Sequence, residues 1–327
     1  MQEGEFDFIR QIRKLVADSK KRTLIGIGDD AAVIRGRRKR VYLFTTDTLV
    51  EDVHFKWRFT TARQIGWRAL AVNVSDIAAM GGCPAVALVT LGLPRGTSSS
   101  KIDEIYRGIL DLSSRLDIEI AGGDIVRSPI FFITISLLGE AEADKVVLRK
   151  GAKPGDIIYV TGSIGSAATG LICLMRKDVP LRSEVRDFLE GKWLFPIPKV
   201  EEARQIATRN LSTAMIDISD GLSADLYHIL EESEVGAELW MNKIPVDERT
   251  KEALPKLGKS FYDVVLEGGE DYELLFTSSA DRDVEKSLDF PVCAIGKIVP
   301  DRLKLWLIDE KGEKREIFPR GWDHFLS

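Results

Sequence analysis

Acidic residues beside glycines and hydroxyls are the chemistry-bearing feature of this 327-residue chain. Asp29 and Asp30 follow Ile25-Gly26-Ile27-Gly28. Asp47 sits in Thr45-Thr46-Asp47-Thr48, Asp76 closes Asn73-Val74-Ser75-Asp76, and Asp124 follows Ala121-Gly122-Gly123. Farther on, Asp217 and Asp220 fall in Asp217-Ile218-Ser219-Asp220-Gly221, and Glu267-Gly268-Gly269-Glu270-Asp271 precedes another strand-like run. These are contexts in which the loops of α/β sheets build sites. Gathered in one place, such carboxylates repel and raise one another's pKa unless cations neutralise them. Oxygen-only ligands suit Mg²⁺, Mn²⁺ or Ca²⁺. Mg²⁺ on few carboxylates completes its shell with water and substrate phosphate, so the matching chemistry is phosphoryl transfer. The same residues also read as separate turn carboxylates and helix caps that never meet, because Ser and Asp satisfy the free amides at helix starts.

Other phosphate-binding signatures are missing. There is no Gly-x-x-x-x-Gly-Lys-Ser/Thr loop, and no set of Gly-rich loop, His-Arg-Asp and Asp-Phe-Gly. Thr161-Gly162-Ser163-Ile164-Gly165-Ser166 links a strand to a helix and reads either as an anion-binding turn or as a plain tight turn. Arg149-Lys150 reads either as a counter-charge for polyphosphate or as an exposed linker pair.

The elements that must position these residues alternate along the chain. Residues 41–46, 85–93, 118–121 and 130–138 read as strands. Residues 62–79 and 99–116 read as helices, with apolar faces at Ile65, Ala69, Val72, Ile77 and at Ile102, Ile105, Ile109, Leu112. On this pattern Asp47 ends a strand, Asp124 follows one, and Asp76 and Asp220 open helices. The charged stretch 140–153 ends in Pro154-Gly155 and marks a boundary near residue 145. Beyond it, strands at 156–161, 214–217, 237–240, 272–277 and 292–298 alternate with helices at 166–176 and 219–231, and 181–198 reads as an insertion. The expectation is an α/β or mixed α+β chain of two domains, 1–145 and 146–327.

Composition narrows the function class. Apolar residues make up 44% and charged residues 30%, as in ordinary globular chains. A net charge of −5 argues against nucleic acid as a partner. The one dense basic run, Arg35-Gly36-Arg37-Arg38-Lys39-Arg40, reads as a solvated hairpin tip. No apolar run is long enough to span a bilayer, and the acidic start lacks a signal-peptide pattern. Three scattered cysteines and three histidines make neither a disulfide frame nor a transition-metal centre, so the expected location is the cytoplasm.

The ordered set of motifs resembles the thiamine-monophosphate kinases, within the superfamily that includes aminoimidazole-ribonucleotide synthetase. The likeness runs nearly end to end. It is carried by Gly4-Glu5-Phe6, Ile27-Gly28-Asp29-Asp30-Ala31-Ala32, Thr45-Thr46-Asp47, Val53-His54-Phe55, Asn73-Val74-Ser75-Asp76-Ile77-Ala78-Ala79-Met80-Gly81-Gly82 and Gly122-Gly123-Asp124. The second half adds Gly151-Ala152-Lys153-Pro154-Gly155-Asp156, Asp217-Ile218-Ser219-Asp220-Gly221-Leu222, Gly269-Glu270-Asp271-Tyr272-Glu273-Leu274 and Gly321-Trp322-Asp323-His324-Phe325.

The resemblance implies a two-domain aminoimidazole-ribonucleotide synthetase-like fold, with the N-terminal sheet used in forming a homodimer. It implies transfer of a phosphoryl group from ATP to thiamine monophosphate, assisted by several Mg²⁺ ions and without a covalent nucleophile on the protein. The family pattern places Asp30, Thr46, Asp47, Asp76, Asp124, Asp217 and Asp220 at magnesium positions. It places Tyr106, Gly123, Asp124, Arg149 and Ser219 at nucleotide contacts, and His54, Glu270, Asp271 and Trp322 near the thiamine phosphate. Read alone, His54 is a turn or core histidine, Tyr106 a helix-face core residue and Trp322 a packing anchor.

Two positions depart from the pattern: Ile125 stands where a Thr is common, and Lys199 where an Arg is usual. Sister enzymes fit less well. Selenophosphate synthesis needs a reactive Cys or selenocysteine in an N-terminal loop, and no Cys precedes Cys83. The hydrogenase-maturation dehydratase needs a C-terminal Cys acceptor, whereas the sequence ends in Phe325-Leu326-Ser327. The purine enzyme and a non-catalytic nucleotide-binding regulator are the remaining rivals.

Overall fold

The computed structural model describes residues 4–16, 22–322 and 325. Asp323 and His324 of the closing motif lie outside the described residues. The N-terminal half contains α1 (Glu5–Leu15), β1 (Thr23–Ile25), β2 (Ala32–Arg35), β3 (Arg40–Val50), α2 (Ala62–Ala79), β4 (Cys83–Leu93), α3 (Ser99–Leu116), β5 (Glu119–Arg127) and β6 (Phe132–Glu142). Its six strands form one sheet in the order β1-β2-β3-β6-β4-β5, antiparallel except for the β4–β5 pair. The basic run 35–40 turns between β2 and β3, as a hairpin tip should.

The second half adds β7 (Ile157–Thr161), α4 (Ser166–Met175), α5 (Ser183–Leu194), α6 (Val200–Thr208), β8 (Ala214–Asp217), α7 (Leu222–Ser233), β9 (Gly236–Trp240), α8 (Glu248–Leu257), β10 (Leu274–Ser278), α9 (Val284–Ser287), β11 (Val292–Val299), β12 (Leu305–Ile308) and β13 (Lys314–Ile317). Its sheet runs β13-β12-β9-β11-β7-β10-β8, antiparallel except for β12 against β9. The mixed α/β architecture expected from the sequence is the one observed. The expected insertion at 181–198 holds α5, whose Trp193 is fully buried.

Helix α2 is the element on which the two halves meet. Thr61 and Gln64 cap its start reciprocally, side chain to backbone in both directions. Almost every residue beyond Gln64 is buried, because α2 lies between β3 and β6 on one side and α6 and β8 on the other. It crosses α3 at Gly66 and Gly108. A Cβ on Gly66 would lie 1.9 Å from the Ile105 carbonyl oxygen, and one on Gly108 1.8 Å from that of Arg63. Any side chain at either position would force the helices apart.

Strand β3 alternates as a half-buried strand must. Val41, Leu43, Thr45 and Leu49 face the helices, while Phe44, Thr46 and Thr48 face outward. Helix α1 reaches across to the second half, where Arg13 pairs with Glu232 on α7 at 2.5 Å and the Phe8 ring meets that of Phe325 edge-on.

Candidate active site

Three carboxylates from three elements converge. Asp30 comes from the loop before β2, Asp76 from the last turn of α2 and Asp217 from the end of β8. Each offers an oxygen, and those oxygens all lie within 4.8 Å of one another; among the described residues no other such group forms. Asp76 does not open a helix, as its Ser-Asp context suggested. It sits at the negative end of the α2 dipole, where a buried anion is disfavoured without a cation. Asp47 lies within β3 and not at its end, because pairing with β6 continues to Val50 opposite Phe132. Its backbone N–H donates to Asn73 Oδ1 at 3.0 Å.

Hydroxyls and one arginine orient the triad. Thr45 Oγ1 donates to Asp76 Oδ2 at 2.6 Å, and Ser75 Oγ donates to Asp217 Oδ2 at 2.5 Å. Arg149 donates to Asp30 Oδ1 through Nη2 at 2.5 Å and Nε at 3.2 Å, and its backbone N–H reaches the Asp29 carboxylate. Asp30 Oδ2 is buried with no hydrogen-bond partner. A buried carboxylate oxygen without a donor is costly, and a cation among three carboxylates removes that cost.

Electrostatics give the same answer. Burial, then the charge of Asp30, pushes Asp29 and Asp217 up to about 7. Burial, then Glu5, pushes Asp220 up to about 7, with Asp47 and Glu270 adding to it. Asp76 is raised well above the usual range by burial and then by Asp47, Asp217 and Asp30. Burial works against the charge on Arg149, but Asp30, Asp29 and Asp217 outweigh it and raise its pKa. Asp47 therefore shares the field of the triad, and Asp220 in turn feels Asp47. The donor set, hard oxygens alone, suits Mg²⁺.

The other expected residues are placed differently. The Thr46 hydroxyl lies on the outer sheet face, 3.0 Å from Ser136 Oγ, so only its backbone is left on the cluster's strand segment. Asp124 is inside β5 and not after a strand, because the Gly122-Gly123-Asp124 centre of this exposed edge strand breaks its alternation; Asp124 accepts from the Ile125 N–H at 2.8 Å. Gly123 packs so closely on β4 that a Cβ would sit 1.7 Å from the Val89 carbonyl oxygen. Tyr106 packs half-buried against the N-terminal core from α3. His54 Nδ1 accepts the Val50 N–H at 3.0 Å, which leaves the proton of the neutral ring on Nε2.

Asp271 serves α4. Its oxygens accept the N–H groups of Gly165 at 2.6 Å and Ala167 at 3.0 Å. The turn at 161–166 thus meets an internal carboxylate, and burial leaves that carboxyl at about 7.

Glu270 and Trp322, from two other segments, are both tethered to the loop that carries Ser219. The Glu270 N–H donates to the Ser219 carbonyl at 2.7 Å, and the Trp322 N–H donates to the Asp220 carbonyl at 3.2 Å. Asp225, absent from the sequence reading, holds this loop: its Oδ2 accepts the N–H groups of Ser219, Asp220 and Gly221 at 3.0, 3.1 and 3.0 Å. Its position five residues after Asp220 was the available signal. Arg68 was also missed, although a single arginine inside the apolar run Trp67–Val72 marks it.

Comparison with known proteins settles the family. The AIR synthase related protein N-terminal domain matches residues 28–141 and the corresponding C-terminal domain matches 153–307. The thiamine-monophosphate kinase of Bacillus subtilis is 36% identical over 98% of this chain and 99% of its own length. That of Escherichia coli K12 is 34% identical over 99% of each. The chain belongs to the thiamine-monophosphate kinase family. Among solved structures, AaThiL complexed with AMPPCP and TMP superposes with a TM-score of 0.86 at 32% identity, covering 98% of this chain and 97% of that one. Thiamine monophosphate kinase from Aquifex aeolicus gives 0.80 at 30% identity over 94% and 97%. Hydrogenase maturation protein HypE with ATP, at 16% identity and a TM-score of 0.70 over 90% of this chain and 88% of that one, shares the fold.

Proposed function

We propose that this chain is an ATP-dependent kinase that transfers the γ-phosphoryl group of ATP to the phosphate of thiamine monophosphate, releasing thiamine diphosphate and ADP. The observation that carries the reading is the Asp30–Asp76–Asp217 convergence, with its orphaned Asp30 oxygen, in a full-length member of this kinase family.

Asp30, Asp76 and Asp217 would hold divalent cations, with Asp47, Asp220, Asp124 and the backbone of Thr46 as further oxygen donors. Magnesium, when bound, supplies the positive charge that offsets repulsion between two anionic reactants. Arg149 binds and orients the nucleotide phosphates from beside Asp30. Tyr106, Gly123 and Ser219 contact the rest of the nucleotide. His54 offers its Nε2–H to a phosphate oxygen of the acceptor, and Trp322, 47% exposed, offers a flat face to a cationic ring. The attacking phosphate oxygen is already ionised at neutral pH. The protein therefore needs no covalent nucleophile or strong base, and direct in-line transfer depends on positioning and charge.

The reading extends to assembly and location. Residues 1–145 form the dimerisation and nucleotide domain, and 146–327 complete the site. The outer face of the first sheet, with Phe44 and Leu88 exposed beside the open edge β5, supports pairing with a second copy. Three free cysteines, and no described helix long and apolar enough to cross a membrane, are compatible with the cytoplasm.

An ADP-release assay with Mg-ATP and thiamine monophosphate, run beside thiamine and the aminoimidazole precursor with products identified by mass, tests the assignment. Thiamine diphosphate formed from the monophosphate alone, and abolished by Asp217→Asn, is the expected result. Turnover of the purine precursor alone would move the chain to the sister enzyme.

A further inference from the structure

Arg68 is a fully buried cation that does not touch the acidic triad, and its contacts lead to Glu270. It lies on α2, roughly two turns before Asp76, with a side chain 0% exposed. Nη2 donates to Glu270 Oε1 and Nη1 to the carbonyl of Trp193. The Trp193 indole N–H in turn donates to Glu270 Oε2, and the guanidinium stacks 3.8 Å from the centre of that ring. Both oxygens of Glu270 are therefore fixed by donors from two different helices, α2 and α5.

The backbone is fixed as well. Glu270 holds φ at +68°, a left-handed conformation that a non-glycine residue adopts only under constraint. Its tether to the Ser219 carbonyl sits one residue from the Trp322 tether on Asp220. The backbones of Glu270 and Trp322 thus hang from consecutive carbonyls of one loop.

As a fold stabiliser the arrangement is poor. Arg68 Nε is buried without a partner, and apolar residues of the same volume commonly replace a buried ion pair with no loss of stability. As an aiming device it is effective. The Glu270 side chain is 28% exposed, and each engaged oxygen keeps a second lone pair for an incoming donor.

We propose that Arg68, together with Trp193, is a positioning residue that aims Glu270 at N–H donors on the organic part of the acceptor, an amino-substituted heteroaromatic cation. The proposal deepens the kinase reading above and rests on it. Arg68 acts through Glu270, so its removal weakens acceptor recognition and leaves nucleotide binding in place.

The test is steady-state kinetics on Arg68→Met, Arg68→Lys, Trp193→Phe, Glu270→Ala and the Arg68→Met/Glu270→Ala double variant, with calorimetric titration of a non-hydrolysable ATP analogue. Arg68→Met should raise KM for thiamine monophosphate roughly 10- to 100-fold, the loss of a charge-assisted hydrogen bond. It should leave analogue affinity unchanged, and Arg68→Lys should recover part of the loss. Added to Glu270→Ala, it should raise KM no further. An unchanged KM in Arg68→Met, or effects that multiply in the double variant, overturns the proposal. If Arg68→Met does not fold, Trp193→Phe removes a single N–H from Glu270 and must still raise KM; an unmoved KM there overturns it too. If the wild-type protein shows no turnover, the kinase reading fails, and titration with thiamine monophosphate decides separately. Weaker binding in the variants supports the proposal; equal binding, or none to the wild type, overturns it.

Discussion

Ser75, on the N-terminal side of the molecule, donates its hydroxyl to Oδ2 of Asp217, at the end of a strand in the second sheet, over 2.5 Å. One side chain of the helix that carries Asp76 thus orients a carboxylate from the other half. The proposed cation site and the junction between the halves are built from the same residues. Groups that orient metal ligands typically govern affinity by one to two powers of ten. Ser75→Ala should therefore raise the Mg²⁺ concentration for half-maximal activity about tenfold, with KM for thiamine monophosphate little changed at saturating metal. A Mg²⁺ titration of the variant that overlays the wild-type curve would show that the hydroxyl only fills space.

The cluster also makes metal binding a proton-linked event. Asp29, Asp217 and Asp220 have carboxyls near 7 in the metal-free fold, each raised first by burial. The unfolded chain holds them near 3.8. Between these values the folded state binds more protons than the unfolded one, so stability falls as pH rises. The contribution is whole below about pH 4 and gone above about pH 7. On the proposed reading, Mg²⁺ would replace those protons. The rise in melting temperature on adding Mg²⁺ should be larger at pH 8 than at pH 6, and binding near pH 7 should release protons. Equal thermal shifts at the two pH values, or binding heats independent of buffer ionisation enthalpy, would contradict the coupling.

Asp225 supports a prediction about the loop itself. It is 1% exposed, and burial, with the charges of Asp220 and Asp217, raises its carboxyl well above the usual range. One of its oxygens satisfies three backbone N–H groups. Asp225→Ala strands all three donors and should cost about 3 kcal/mol or more, at 1–3 kcal/mol for each unsatisfied group that water does not reach. Asp225→Asn keeps an oxygen in the same place to accept the three N–H groups, so it should cost less than about 1 kcal/mol. Urea unfolding of both variants gives the comparison; equal losses would mean that charge, not acceptor geometry, holds the loop.

What the sequence made legible followed from periodicity. Helices α2 and α3 fall at 62–79 and 99–116 as expected, because Thr61 and Ser98 cap them and their apolar spacing is regular. From sequence, strand β5 reads only to residue 121, because it is an exposed edge whose Gly122-Gly123-Asp124 centre has no alternation to read. Ser75-Asp76 reads as a helix start because local residue preference cannot see that α2 is buried on both sides. The acids were visible singly. Their convergence needed tertiary contacts between α2 and β8 that no local pattern encodes. Thr46 shows the remaining gap: a strand's two faces separate neighbours, and its hydroxyl turns away from Asp47.

Lys199, where relatives carry arginine by the sequence resemblance, is the last case. Its ammonium lies 3.3 Å from Oε1 of Glu273, whose side chain is 4% exposed, while Thr161 Oγ1 donates to Oε2 at 2.7 Å. The position requires a cation because the carboxylate beside it is buried, and a Lys meets that requirement with one donor where an Arg would use two. Lys199→Met leaves Glu273 uncompensated and should cost about 3 kcal/mol or more. Lys199→Arg should hold or slightly raise stability. Pairing Lys199→Met with Glu273→Gln should restore most of the loss, since no buried charge then remains. Chemical denaturation of the three variants decides it. If the double variant is less stable than Lys199→Met alone, Glu273 contributes through its packing and its Thr161 bond, not through the ion pair.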